Sequence, residues 1–121
     1  MTDHKNQPFH RRLRFALAGL THALRAEQSV KSQIAVFVLV IVAMLWLRPG
    51  ALWWALVLLA SAVVLTTELL NTAIEHLADH LHPDVHPRIR VVKDCAAAAV
   101  LIAVLGAIGV GAALAVHLIT K

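Results

Sequence analysis

One cysteine, Cys95, stands among 121 residues, so no intramolecular disulfide can brace the fold. Charge is scarce, with Asp, Glu, Lys and Arg making up 15% of the chain. No internal repeat is visible, and no low-complexity tract beyond the alanines at 96–99. The polar, basic N-terminal stretch is too long for a secretory leader and lacks a small-residue cleavage site, so no leader is expected. These absences exclude a secreted disulfide domain and a charged disordered tail. Apolar side chains fill the gap: 60% of residues are hydrophobic, against roughly 45–50% in ordinary soluble domains. Mean hydropathy is +0.75. A soluble globule of this size hides only about two-thirds of its unfolded surface. That much apolar surface does not fit in water. The expectation is a single all-α, membrane-embedded unit over residues 1–121.

Ile34 to Leu47 is an unbroken apolar run. Extended back to Val30, with Lys31 snorkelling, it predicts a first span over about 30–48 that reaches roughly 27 Å. Arg48-Pro49-Gly50 breaks the helix in a tight turn. Ala51 to Leu70 is the second span, continuing as helix to about residue 80. The third span is placed at about 94–119 and is rich in Ala and Gly, which lets helices approach closely. Gly106, Gly109 and Gly111 sit inside this apolar helix with no strand before them, so packing explains them better than a phosphate loop. Trp46, Trp53 and Trp54 flank one turn, as an interfacial aromatic belt does.

Nine of the eleven Lys and Arg residues precede the first span or lie between the second and third. With three spans these regions share one face, and the basic excess makes it cytoplasmic. Phe9, Leu13, Ala16, Leu17, Leu20 and Leu24 recur at helical spacing, with Arg11, Arg12 and Arg14 mostly on other faces. Residues 9–25 therefore read as a basic amphipathic helix suited to an anionic membrane surface.

Seven acidic residues carry the functional information. Glu68 lies within the second span near its cytoplasmic end, where an ionisable side chain is costly and marks a functional site by default. Asn71, Glu75 and Asp79 follow at i+3, i+7 and i+11. At about 100° per residue the four share roughly an 80° sector, forming one polar stripe. A helix leaving the membrane would by itself account for Asp79, but not for Glu68 with Asn71 and Glu75. Glu75 and Asp79 repel at i, i+4, so a positive partner is expected: Lys93, a neighbouring chain's arginine or a divalent cation. Glu27, between the surface helix and the first span, sits at the same level. With Glu75 it could hold Mg²⁺, an ion that takes one or two carboxylates plus phosphate oxygens. Lys93 and Asp94 open the third span at this level; a lysine there neutralises phosphate charge, and a helix N-terminus would itself favour the Asp94 carboxylate. His76, His80, His82 and His86 are read as solvated residues of the connecting region, although His76 and His80 have the spacing of a metal-binding pair. Cys95 reads as a small apolar residue at a helix start.

Glu68-Leu69-Leu70-Asn71-Thr72-Ala73-Ile74-Glu75, then Asp79, Lys93-Asp94 and an alanine-rich apolar helix, strongly resembles the prokaryotic diacylglycerol kinase and undecaprenol kinase family. The resemblance extends over about residues 9 to 118. It implies three membrane helices and a surface helix per chain, a homotrimer, and active sites shared between subunits at the cytoplasmic face of the inner membrane. It also implies ATP and Mg²⁺ without a G-x-x-x-x-G-K-[ST] loop, which is absent here. By motif, Glu68 would be the general base for the lipid hydroxyl, Asn71 would orient the reacting groups, and Glu27 and Glu75 would be the Mg²⁺ ligands. Lys93 and Asp94 would contact nucleotide phosphates, and Phe15, Asp79, Asp84, Val85 and His86 match further nucleotide-contact positions. Several relatives carry a second acid where this chain has Gln33, and some have Gly-Ser where it has Cys95-Ala96-Ala97. His86-Pro87-Arg88-Ile89 is closer to the undecaprenol-type members. Diacylglycerol is the first expectation for the substrate and undecaprenol the alternative; no nucleic-acid partner is expected. Readings of other classes are a proton or cation transporter, since intramembrane carboxylates also mark ion paths, and a purely structural membrane subunit.

Overall fold

A computed structural model describes residues 4–121, and no strand occurs among the described residues. After a short 3-10 turn at His4–Asn6 come four helices: α1 (Phe9–Ala26), α2 (Gln28–Leu47), α3 (Ala51–Leu81) and α4 (Pro87–Ile119). The last three are long and apolar enough to cross a membrane.

Helix α1 starts behind Pro8, whose carbonyl accepts from the Arg11 and Arg12 amides at 3.0 and 3.1 Å. Its leucines, Leu13 and Leu17 among them, stay exposed. The spans of the same chain do not cover this apolar stripe, as suits a helix lying on lipid. It ends at Glu27, which is extended (φ −108, ψ 118) and donates its amide to the Ala23 carbonyl at 2.8 Å. Glu27 also begins α2, accepting from the Lys31 amide at 3.2 Å. One residue is thus the whole joint between the amphipathic helix and the first span.

Helix α2 stops at Arg48, which takes left-handed backbone angles (φ 51, ψ 53) and donates to the Met44 carbonyl at 2.9 Å. Pro49 has no amide to continue the ladder, and Gly50 caps α3. With 31 residues, α3 is about 46 Å long at 1.5 Å per residue, well over the roughly 30 Å of a bilayer core. The helix stays continuous over that whole length.

Helix α4 begins seven residues before the expected start of the third span. Pro87 occupies the first turn, and the His86 side chain caps it by accepting the Arg88 amide at 3.2 Å. The cause is local: a preset φ and a capping imidazole nucleate helix before the apolar stretch begins. Lys93, Asp94 and Cys95 are therefore in its second and third turns rather than at its start, and the helix-end account of Asp94 falls away.

Helix α4 packs along α3, which also meets α2, while α1 contacts α2 and, less extensively, α3. Met44, Val57 and Leu114 form a small core near the Arg48 turn, ringed by Val40, Trp53, Trp54, Val110 and Leu118. In lipid such contacts hold by van der Waals fit rather than by escape from water. Gly106, Gly109 and Gly111 do not take part: a Cβ placed on any of them would meet nothing within 4 Å. Trp46, by contrast with the partly buried Trp53 and Trp54, is 84% exposed.

Candidate active site

Because α3 is unbroken to Leu81, the Glu68–Asp79 stripe lies on one rigid rod. Burial falls along it. Glu68 is 5% exposed and Asp79 exposed, with Asn71 and Glu75 between. Glu68 makes no hydrogen bond or ion pair among the described residues, and Asn71 Oδ1 is buried with no partner. Buried polar atoms are nearly always satisfied, so an unpaired amide oxygen one turn from a buried carboxylate marks a place prepared for something else.

Two side-chain links tie this rod to its neighbours, and both start on α3. His76 Nε2 lies 3.0 Å from Glu27 Oε1, across 49 residues of sequence. An ionised carboxylate only accepts, so the imidazole N–H donates. One turn on, Lys93 Nζ donates to Asp79 Oδ1, and Glu75 lies within electrostatic reach of the same lysine. Lys93 is thus the positive partner that the Glu75–Asp79 pair required. The side chains of this second pair are 35% and 61% exposed, so it orients the lysine more than it stabilises the fold.

Beside Lys93, where α3 turns into α4, is a hollow of about 290 Å³. Asp79, Asp84, Val85, His86 and Lys93 line it, all expected nucleotide contacts, together with His82, Pro83, Ile89 and Arg90. Arg90 escaped the sequence reading; its spacing three residues before Lys93 on one helix was the available signal. The structure does not bring the remaining expected contacts here. Phe15 lies on α1 with its ring stacked on His4 at 4.0 Å, beside a separate surface hollow. Asp94 is exposed, about 100° around the helix from Lys93.

A second, mostly apolar groove of about 430 Å³ runs between α1 and α3. Ala16, Gly19, Leu20, Ala23 and, at its edge, His22 line it from α1, and Leu69, Thr72, Ala73 and His76 from α3. Apart from His22, both sets repeat at i, i+3, i+4, i+7, so the groove follows the two helix axes.

The histidines need correcting. His76 and His80 belong to α3, and His76 is bonded to Glu27 rather than simply solvated. No group of three or more His, Cys, Asp or Glu residues capable of holding a metal occurs among the described residues. Mg²⁺ does not need one. It takes oxygen donors and usually completes its shell with water and phosphate. Glu27 and Glu75, both partly buried carboxylates, are donors of that kind, and the hydrogen bond to Glu27 Oε1 leaves its Oε2 available.

Three apolar spans, an amphipathic helix and a polar cluster of carboxylates, amide and lysine on α3 and α4 define a multi-pass membrane protein. Residues 14–115 match the family described as prokaryotic diacylglycerol kinase. The chain belongs to this family of lipid kinases. It is 36% identical to a diacylglycerol kinase of Synechocystis over 102 residues, 84% of this chain and 58% of that protein. It is 30% identical to an undecaprenol kinase of Bacillus subtilis over 102 residues, 83% of each chain. With a diacylglycerol kinase of Escherichia coli K12 it shares 30% identity over 94 residues, 78% of this chain and 77% of the other.

Proposed function

We propose that this protein transfers the γ-phosphoryl group of ATP to the hydroxyl of a membrane lipid, with diacylglycerol as substrate and phosphatidic acid as product. The observation that carries the reading is a buried, unpartnered Glu68 on the same rod as a lysine-lined hollow. A base within the lipid layer and a phosphate-binding lysine above it suit a reaction between a lipid and a soluble nucleotide.

The lipid lies along the α1–α3 groove with its hydroxyl toward Glu68. Glu68 takes the hydroxyl proton as the oxygen attacks the γ-phosphorus. The new O–P bond forms, the bond from the γ-phosphorus to the bridging oxygen breaks, and ADP leaves with the electron pair. Positioning and charge neutralisation do most of the work in phosphoryl transfer. Asn71 orients the reacting groups with its unpaired amide oxygen. Lys93, held by Asp79, neutralises phosphate charge. Asp84, Val85 and His86 line the nucleotide's hollow, and Phe15 and Asp94 complete the nucleotide contacts from further off. Mg²⁺, held by Glu27 and Glu75, supplies further charge neutralisation when bound.

Phe15 and Asp94 stand apart from the hollow within one chain, and Gly106 and Gly109, which share a face of α4, leave open space beside them. Both features support a homotrimer with sites shared between subunits. The basic excess on the Glu27 side supports an inner-membrane protein with its N-terminus and site facing the cytoplasm.

The test is transfer from labelled ATP by the purified protein in mixed micelles, with diacylglycerol and undecaprenol offered separately. Transfer to diacylglycerol, lost on Glu68→Gln and on chelation of Mg²⁺, is expected. Undecaprenol is the second reading, favoured by His86-Pro87-Arg88-Ile89 and by the Bacillus subtilis relative. Transfer to undecaprenol alone would select it, and transfer to neither would refute both.

A further inference from the structure

His76 lines the α1–α3 groove, and it also makes the hydrogen bond that ties Glu27 to α3. Glu27 is the one-residue joint between α1 and α2, extended in backbone and with neighbouring helices diverging from it. A glutamate there has three side-chain torsions and nothing on its own helices to fix them. The bond from His76 Nε2 at 3.0 Å supplies that restraint from across the fold. The imidazole is itself braced: the His22 ring packs edge-on against it, with centroids 5.8 Å apart and planes at 84°. His22 comes from α1, His76 from α3 and Glu27 from the joint, so three segments meet at this bond.

We infer that His76 is a positioning residue for Glu27: its N–H occupies Oε1 and holds Oε2 in place as an ion ligand. Groups that hydrogen-bond a ligating side chain orient it, and their removal typically costs 10–100-fold in metal affinity. The adjacent residue in sequence, Glu75, is the other expected ligand, so the restraint also fixes the joint against the part of α3 where both carboxylates are needed. The inference rests on the reading of Glu27 as an ion ligand, and its test separates the two.

The full-length protein in mixed micelles is titrated with Mn²⁺ alone, free ion being counted by electron paramagnetic resonance. Wild type, Glu27→Gln, His76→Leu, His76→Ala and His76→Gln are compared, with far-UV circular dichroism checking the helices. The Mg²⁺ concentration for half-maximal transfer is measured alongside. His76→Leu and His76→Ala should weaken Mn²⁺ binding and raise the Mg²⁺ requirement by about 10-fold. His76→Gln, whose amide can donate in the same direction, should recover most of the loss; the two truncations guard against failure of one to fold. Unchanged Mn²⁺ affinity in the truncations, or a Gln variant as weak as they are, would overturn the inference. Wild type and Glu27→Gln binding Mn²⁺ equally would instead overturn the reading of Glu27 as ligand.

Discussion

Glu68→Gln should separate activity from stability. The substitution keeps shape and volume and removes one proton-accepting oxygen. Glu68 is 5% exposed and makes no hydrogen bond or ion pair among the described residues, so the change breaks no native contact. Removing a buried ionisable group that lacks a counter-charge is neutral or favourable, and the unfolding free energy should hold or rise by as much as about 3 kcal/mol. Loss of a general base typically lowers kcat by about 10²–10⁴-fold, which is about 2.7–5.4 kcal/mol of barrier. Affinity for ATP should not move, because the hollow beside Lys93 is built from other residues. Transfer from labelled ATP gives kcat, and unfolding by denaturing detergent followed by circular dichroism gives stability. A variant that keeps its kcat within about 3-fold of wild type would refute the assignment of the base. A variant that loses both kcat and stability would show that Glu68 serves the fold.

Asn71→Ala removes a buried oxygen that has no partner, so stability should change by less than about 1 kcal/mol while kcat falls at least about 10-fold; a larger destabilisation would reveal a bond the amide makes. Asp79→Asn releases Lys93 and should raise the KM for ATP about 3–10-fold with the KM for lipid unchanged, measured by varying each substrate in turn. Arg48→Gly relieves left-handed backbone angles in a residue with a Cβ and should raise unfolding stability by about 0.5–1 kcal/mol, with activity as the control.

The helices and the carboxylate stripe were legible because both follow from periodicity and from the cost of charge in lipid. The amphipathic helix expected over 9–25 runs Phe9–Ala26, and Arg48-Pro49-Gly50 does end α2. The start of α4 at Pro87 falls outside the expected span of 94–119 because hydropathy marks only the apolar part of a helix, and membrane burial and helicity are separate properties. His86-Pro87 carried the capping signal all along. The bond from His76 to Glu27 could not be read from the chain, since no local pattern relates residues 49 apart. Asp84, Val85 and His86 were named only through a resemblance. Their common hollow with Lys93 depends on how α3 and α4 diverge, which spacing along one helix does not report.

The continuity of α3 has a consequence for how this chain tolerates change. Glu68 and Asp79 are eleven residues apart on one uninterrupted helix, about 16 Å along its axis. The lipid chemistry proposed at one and the nucleotide binding proposed at the other would be kept in phase by helical pitch, with no loop between them to absorb an error. A single residue inserted between them would lengthen the rod by only about 1.5 Å but swing one half about 100° away from the other. A helix would remain with every side chain intact and its two ends facing different neighbours. The segment between Glu68 and Asp79 therefore behaves like a key cut to a fixed depth: substitutions can leave it working, but a change in its length cannot.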